Sequence, residues 1–129
     1  MARIRTIKPD FFFDSQLARV GTESRLLFIG LWTLADRNGR MEDRPEEIKA
    51  RLFPYHEIPV CDRLEELRPA FIERYEIDGR RYIQVLNFQK HQRPHPKEPD
   101  SRIPPMEQGK PWTKTASREK VFIHPVESR

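Results

Sequence analysis

Apolar residues recur along the 129-residue chain in two distinct rhythms. In "TESRLLFIGLWTLADRNG", Leu27, Leu31 and Leu34 share one helical stripe, and Phe28 and Trp32 lie four apart on an adjacent one. Apolar side chains thus cover much of the circumference, which predicts a central, buried helix. Thr22 is placed to cap it and Asn38-Gly39 to stop it. Gly30, inside the pattern, predicts close approach by a neighbouring element. A second helix, "PEEIKARLF", places Ile48 and Leu52 on one face and ends at Pro54. Pro45 suits its first turn, and Asp43 and Glu46 have the spacing of a capping box. A third helix opens at Pro59 as "PVCDRLEELR", with Val60, Leu64 and Leu67 inward, and Pro69 stops it.

The rhythm then changes to alternation in "IERYEIDGRRYIQV". Asp78-Gly79 is a favoured two-residue hairpin turn. Centring the hairpin there sets Tyr75 opposite Tyr82, Glu76 opposite Arg81 and Ile72 opposite Val85, three complementary pairs in one register. "RNGRMED" has room for a turn and a brief strand. Upstream, "IKPDFFFDSQLARVG" reads as an extended piece fixed by Pro9, three aromatics, and a helical turn from Asp14 or Ser15. Phe11, Phe12 and Phe13 together predict an arm packed on the domain.

From residue 89 the pattern dissolves, and six of the 12 prolines fall between Pro94 and Pro111. The expected organisation is a folded domain over 1–88 and a basic, proline-rich tail over 89–129, mostly extended or disordered. "VFIHPV" within that tail could add a strand or dock as a short peptide. The element order is helix, short strand, helix, helix, hairpin. That is the order of a winged helix-turn-helix domain, mainly α with a small antiparallel β-hairpin.

Charge sharpens the picture. Residues 1–8 carry Arg3, Arg5 and Lys8 with no acid; residues 9–88 hold 12 basic and 15 acidic side chains; residues 89–129 hold 9 basic and 5 acidic ones. Basic ends on a mildly acidic body suit a polyanion such as nucleic acid. Charged ends that merely keep the chain soluble are the plainer alternative. Cys61 is the single cysteine, which points to a reducing interior. No apolar run has the length of a membrane span or a signal peptide, so a cytoplasmic location is expected. No nucleophile context, phosphate loop or metal-ligand spacing assembles. His91 and His95 are separated by Pro94 and have no neighbouring cysteine. The expectation is a non-enzymatic protein without metal or cofactor.

Several segments, "RIRTIKPDFF", "RLLFIGLWTLADRNGRMEDRPEEIKA", "FPY" and "ERYEIDGRRYIQVLNFQKHQRPHPKEP", carry a resemblance. Over roughly residues 1–105 the chain resembles the N-terminal winged-helix domain of phage replisome organisers and DnaD-like replication-initiation proteins. The resemblance implies a DNA-binding role at a phage or prophage replication origin, inside a bacterial host cell. Family members often carry a further region that engages helicase or single-stranded DNA. From about Met106 this chain matches nothing in that pattern.

A helix-turn-helix protein reads the major groove with its second motif helix. Here that helix offers Asp62, Arg63, Glu65, Glu66 and Arg68, three acids against two bases, a poor surface for phosphate. Arg63 and Arg68 remain candidate readers. The wing is better furnished, with Arg80 and Arg81 at its tip and Arg74 further down. Arg81 has a rival use in pairing with Glu76 across the ladder. Lys90, His91, Arg93 and Lys97 follow the hairpin directly and could track phosphates, as could Arg3, Arg5 and Lys8 from the other end; a solvated linker is the rival reading. Trp112 could stack on a base, anchor a partner or rest on the domain. Two functions follow. One is DNA binding, duplex or single-stranded, through wing and basic arms. The alternative is a protein-interaction module whose acidic face, Asp62, Glu65, Glu66 and Arg68, binds a helicase, another copy of itself or a host defence protein.

Overall fold

The computed structural model describes residues 2–112. Among them are five α-helical segments and a four-stranded antiparallel sheet. In chain order these are α1 (Asp10–Phe13), α2 (Thr22–Leu34), β1 (Arg40–Glu42), α3 (Pro45–Leu52), α4 (Val60–Leu67), β2 (Ile72–Ile77), β3 (Arg80–Val85), α5 (Phe88–His91) and β4 (Lys110–Pro111). The strand order is β1-β3-β2-β4. The sheet is therefore more than the expected hairpin, and the architecture is mixed α/β. Both additions come from short strands that period-two alternation cannot register: three residues of β1 on β3, and two of β4 on β2. "VFIHPV" lies outside the described residues.

The hairpin has the expected register, with Tyr75 opposite Tyr82, Glu76 opposite Arg81 and Ile72 opposite Val85. Asp78 and Gly79 both take positive φ, the conformation that a tight turn of this kind needs. Leu27, Phe28 and Leu31 of α2 are fully buried, as are Leu64 and Leu67 of α4 and Ile72, Ile83 and Val85 of the ribbon. They form one core, so truncating any of these leucines to alanine should cost about 2–5 kcal/mol. Gly30 does admit a neighbour: a Cβ there would lie 2.6 Å from Leu52 of α3.

Helix ends differ from expectation in instructive ways. Gly21, not Thr22, occupies the N-cap of α2. The helix stops at Leu34, before Asn38-Gly39, because the Asp36 carboxylate accepts from the amides of Asn38 and Arg40 and turns the chain early. Asp43 does not cap α3, whose N-cap is Arg44. Its carboxylate is taken by Arg74 instead. The arm forms the expected helical turn after Asp14, whose carbonyl accepts from the Ala18 amide ahead of a short 3-10 turn over Leu17–Arg19, and adds an earlier turn, α1. Of its three phenylalanines only Phe11 is buried, edge-on to Trp32, while Phe12 and Phe13 are 66% and 83% exposed.

The segment after the hairpin runs back along the domain. The Gln92 side chain pairs with the backbone of Thr6, and Tyr75 donates its hydroxyl to the Pro104 carbonyl at 2.8 Å. Gly109 lies so close to β2 that a Cβ would sit 2.6 Å from the Glu76 carbonyl oxygen.

Candidate nucleic-acid interface

The basic residues sort into those held inside the fold and those left outside. Arg74 is the clearest of the first kind. It alternates inward on β2, where the guanidinium donates to both oxygens of Asp43 at 2.6 and 2.9 Å and to Glu65 at 2.8 Å. Arg74 and Asp43 side chains are wholly buried. Burial pushes the Asp43 carboxyl up, and the hydrogen bonds and charge of Arg74 only partly reverse this. Burial acts to lower the Arg74 pKa, but its bonds to Asp43 outweigh that and leave the guanidinium firmly charged. Cys61 Sγ lies 3.5 Å from Arg74 Nη1, and Trp112 covers the guanidinium at 4.3 Å. Arg74 is thus an internal ion, not a DNA contact. Alternation puts Arg74 on the same face of the ribbon as Glu76 and Arg81, but two positions further from the tip, where Asp43 and Glu65 close over it.

Arg5 is also spent within the fold. It donates to the carbonyls of Trp32 and Ala35 at the end of α2 and to both oxygens of Glu98. Arg3 donates to the Ala35 carbonyl and pairs with Glu98 at 3.1 Å. The hydrogen bond from Arg5, opposed by burial and aided by the charges of Arg5, Arg3 and Arg37, holds the Glu98 carboxyl below its usual range. Arg37 donates to the carbonyls of Pro96 and Glu98. Cations at a helix C-terminus are favourably placed, which explains why the N-terminal arm settles there.

His91 stacks on Trp32 at 5.0 Å and meets Phe28 edge-on. Burial, with Lys90 and Lys8 nearby, depresses its pKa below the ordinary histidine value. It is a neutral aromatic wall rather than a phosphate ligand.

On α4, the charges largely satisfy one another. Glu65 binds Arg74 and lies 3.4 Å from Arg68; Glu66 accepts from the Ser24 hydroxyl and pairs with Arg63 at 2.7 Å. Arg68 is completed by Glu73 at 2.7 Å. Asp62 is exposed. The helix that would read the major groove presents few unspent groups of either sign.

Exposed cations gather at the two ends of the ribbon, with the exposed acids Asp78 and Glu42 beside those at the tip. Arg80, at the hairpin tip, is exposed and forms no ion pair among the described residues. Arg81 is 45% exposed, 3.6 Å from Glu76, with its guanidinium 4.0 Å over the Trp112 ring. A groove of about 550 Å³ lies beside them, lined by Arg44, Arg80 and Arg81 and by Glu42 and Asp43, with Arg44 paired to Glu42 at 2.7 Å. Lys110 of β4 is exposed next to this end of the ribbon, opposite Glu76. At the base of the ribbon, Lys8, Lys90, Arg93 and Lys97 are exposed, and Lys8 Nζ donates to the Lys90 carbonyl at 2.6 Å. Six-residue strands set the two basic regions roughly 20 Å apart along the ribbon.

No family model, curated protein or solved structure matches this chain. The geometry therefore stands alone. Among the described residues no group of three or more His, Cys, Asp or Glu side chains is placed to hold a metal ion, and no helix is long and apolar enough to cross a membrane. Asp43 as a partner of Arg74, Glu98 as the anchor of the arm, and Arg44 and Lys110 beside the hairpin tip are not marked in the sequence. Nothing local marks the first two, since their partners lie 31 and 93 residues away. Arg44 and Lys110 carried the same signal as the other bases, but only folding brings them to the ribbon.

Proposed function

We propose that this chain is a non-enzymatic DNA-binding protein, a winged helix-turn-helix domain of the phage replication-initiation type. In this reading α2, α3 and α4 are the helical bundle, β2 and β3 the wing, and wing tip and basic segment meet the phosphate backbone. One observation carries it: after the internal pairs of Arg74, Arg5, Arg63 and Arg68 are formed, the exposed charges just after the wing, Lys90, Arg93 and Lys97, are all cationic, and at its tip Arg80 and Arg81 outnumber Asp78. Guanidinium and ammonium groups without a protein partner bind phosphate by charge-assisted hydrogen bonds, giving affinity that position rather than base sequence controls. The resemblance of the sequence to replisome organisers supports a place at a replication origin.

The wing, not α4, is the main contact in this reading, because Arg63 is held by Glu66. The same pairing weakens the alternative of a protein-docking α4: Glu65 and Glu66 are engaged within the chain, by Arg74 and by Ser24 with Arg63.

The test is duplex affinity of Arg80→Ala/Arg81→Ala beside the unaltered chain. The double variant should bind at least tenfold more weakly while melting at nearly the same temperature. Equal affinity would remove the wing from the interface.

A further inference from the structure

Phe13, exposed on α1 next to Phe12, lines a cleft of about 370 Å³. Its walls are aromatic, formed by Phe13, Phe11, Trp32 and His91, and Lys8 and Lys90 stand on its rim. Phe13 is 83% exposed, although the same arm buries Phe11 against Trp32. The cleft is held in shape from both sides. Lys8 is tied to the Lys90 carbonyl, joining the arm to α5, and His91 is fixed by stacking on Trp32. Two carboxylates also line it, Asp10 and Asp14; Asp14 is engaged by the backbone amides of Gln16 and Leu17. The exposed cations continue away from the rim through Arg93 to Lys97, with no acid between Gln89 and Lys97.

One aromatic ring open to solvent, Phe13, beside a wall of buried aromatics and a line of exposed cations, forms a combination that holds unpaired nucleotides: the ring stacks on a base, and ammonium and guanidinium groups follow the phosphates. Duplex DNA offers no free base face to such a cleft. We infer that the Phe13–His91 cleft is a binding site for an unpaired base of single-stranded nucleic acid, with Phe13 as the stacking platform and Lys8 and Lys90 on the adjoining phosphates. This rests on the nucleic-acid reading above and adds a second site to it, at the arm rather than the wing. A protein having both would hold duplex and an adjacent opened strand together.

The test compares a twelve-nucleotide oligothymidylate with an abasic strand of the same length, using fluorescence anisotropy and the full chain. The abasic strand keeps every phosphate and loses every base. The unaltered chain should bind the thymidylate about tenfold or more tightly over the abasic strand. Phe12→Ala/Phe13→Ala should abolish that preference while leaving duplex affinity unchanged. Equal binding of the two strands, or a preference that survives the double variant, overturns the site, and the wing reading stands if duplex still binds. Failure of the unaltered chain to bind any of the strands overturns both. A double variant that keeps the base preference but lowers the sedimentation mass would make the aromatic arm a contact between two copies instead.

Discussion

The Arg5 guanidinium donates to both carboxylate oxygens of Glu98, each at 3.0 Å, although 93 positions separate the two residues. Both side chains are nearly buried, and Arg5 also holds the last carbonyls of α2. The N-terminal arm and the segment after the hairpin therefore clasp each other across one end of the bundle. The clasp is acid-sensitive. The Glu98 carboxyl is held below its ordinary value of 4.5, chiefly by the Arg5 hydrogen bond, so its stabilisation is complete above that value and is lost as pH falls through the depressed one. Urea midpoints at pH 6 and pH 3 should differ more for the unaltered chain than for Glu98→Gln. Identical acid losses would mean that the pair contributes nothing.

His91 gives a second pH dependence in a different window. Burial against Trp32 and Phe28, then Lys90 and Lys8, lowers its pKa, with Asp14 opposing. The unfolded chain takes up the proton first as pH falls below 6.5, so stability declines from there to the depressed folded value and then levels off. His91→Phe keeps the aromatic stack without the titration. Its urea midpoints at pH 7.5 and 5.5 should lie closer together than those of the unaltered chain.

The Asp43–Arg74 pair joins the start of α3 to the middle of the sheet, and Glu65 extends it to α4. Removing one member leaves a charge stranded in the interior, so Asp43→Ala or Arg74→Ala should each cost about 3–5 kcal/mol. Replacing both, as Asp43→Leu/Arg74→Met, should cost less than the two single changes combined, because most of each single loss is the uncompensated partner. Denaturant unfolding of the four proteins checks this. Additive losses would show that the two groups are not coupled.

Much of the scaffold was legible because it rests on local rules. Asp78-Gly79 fixes a hairpin register, and the spacing of Val60, Leu64 and Leu67 fixes an inward face. The brief strand β1 was legible, but its pairing with β3 was not, and β4 was not legible at all, since two or three residues carry no periodicity and owe their pairing to tertiary contact. The basic residues divide the same way. Arg80 could be placed at a tip from the turn alone. Arg74 looked equally available, yet alternation points it inward to a carboxylate 31 residues away. Arg5 looked like a free arm, and its acceptors are helix-end carbonyls and an acid near the far end of the described chain. Charge composition reveals how many cations a chain has; only the fold decides how many are spent internally.

The most direct measurement is duplex affinity of the full chain against salt concentration, repeated for Lys90→Ala/Arg93→Ala/Lys97→Ala. Each phosphate contact releases counterions and contributes about 0.9 to the slope of log affinity against log salt. The account predicts measurable binding at low salt, a steep slope, and a shallower one for the triple variant. Absence of binding at low salt, or superimposable slopes, would contradict it.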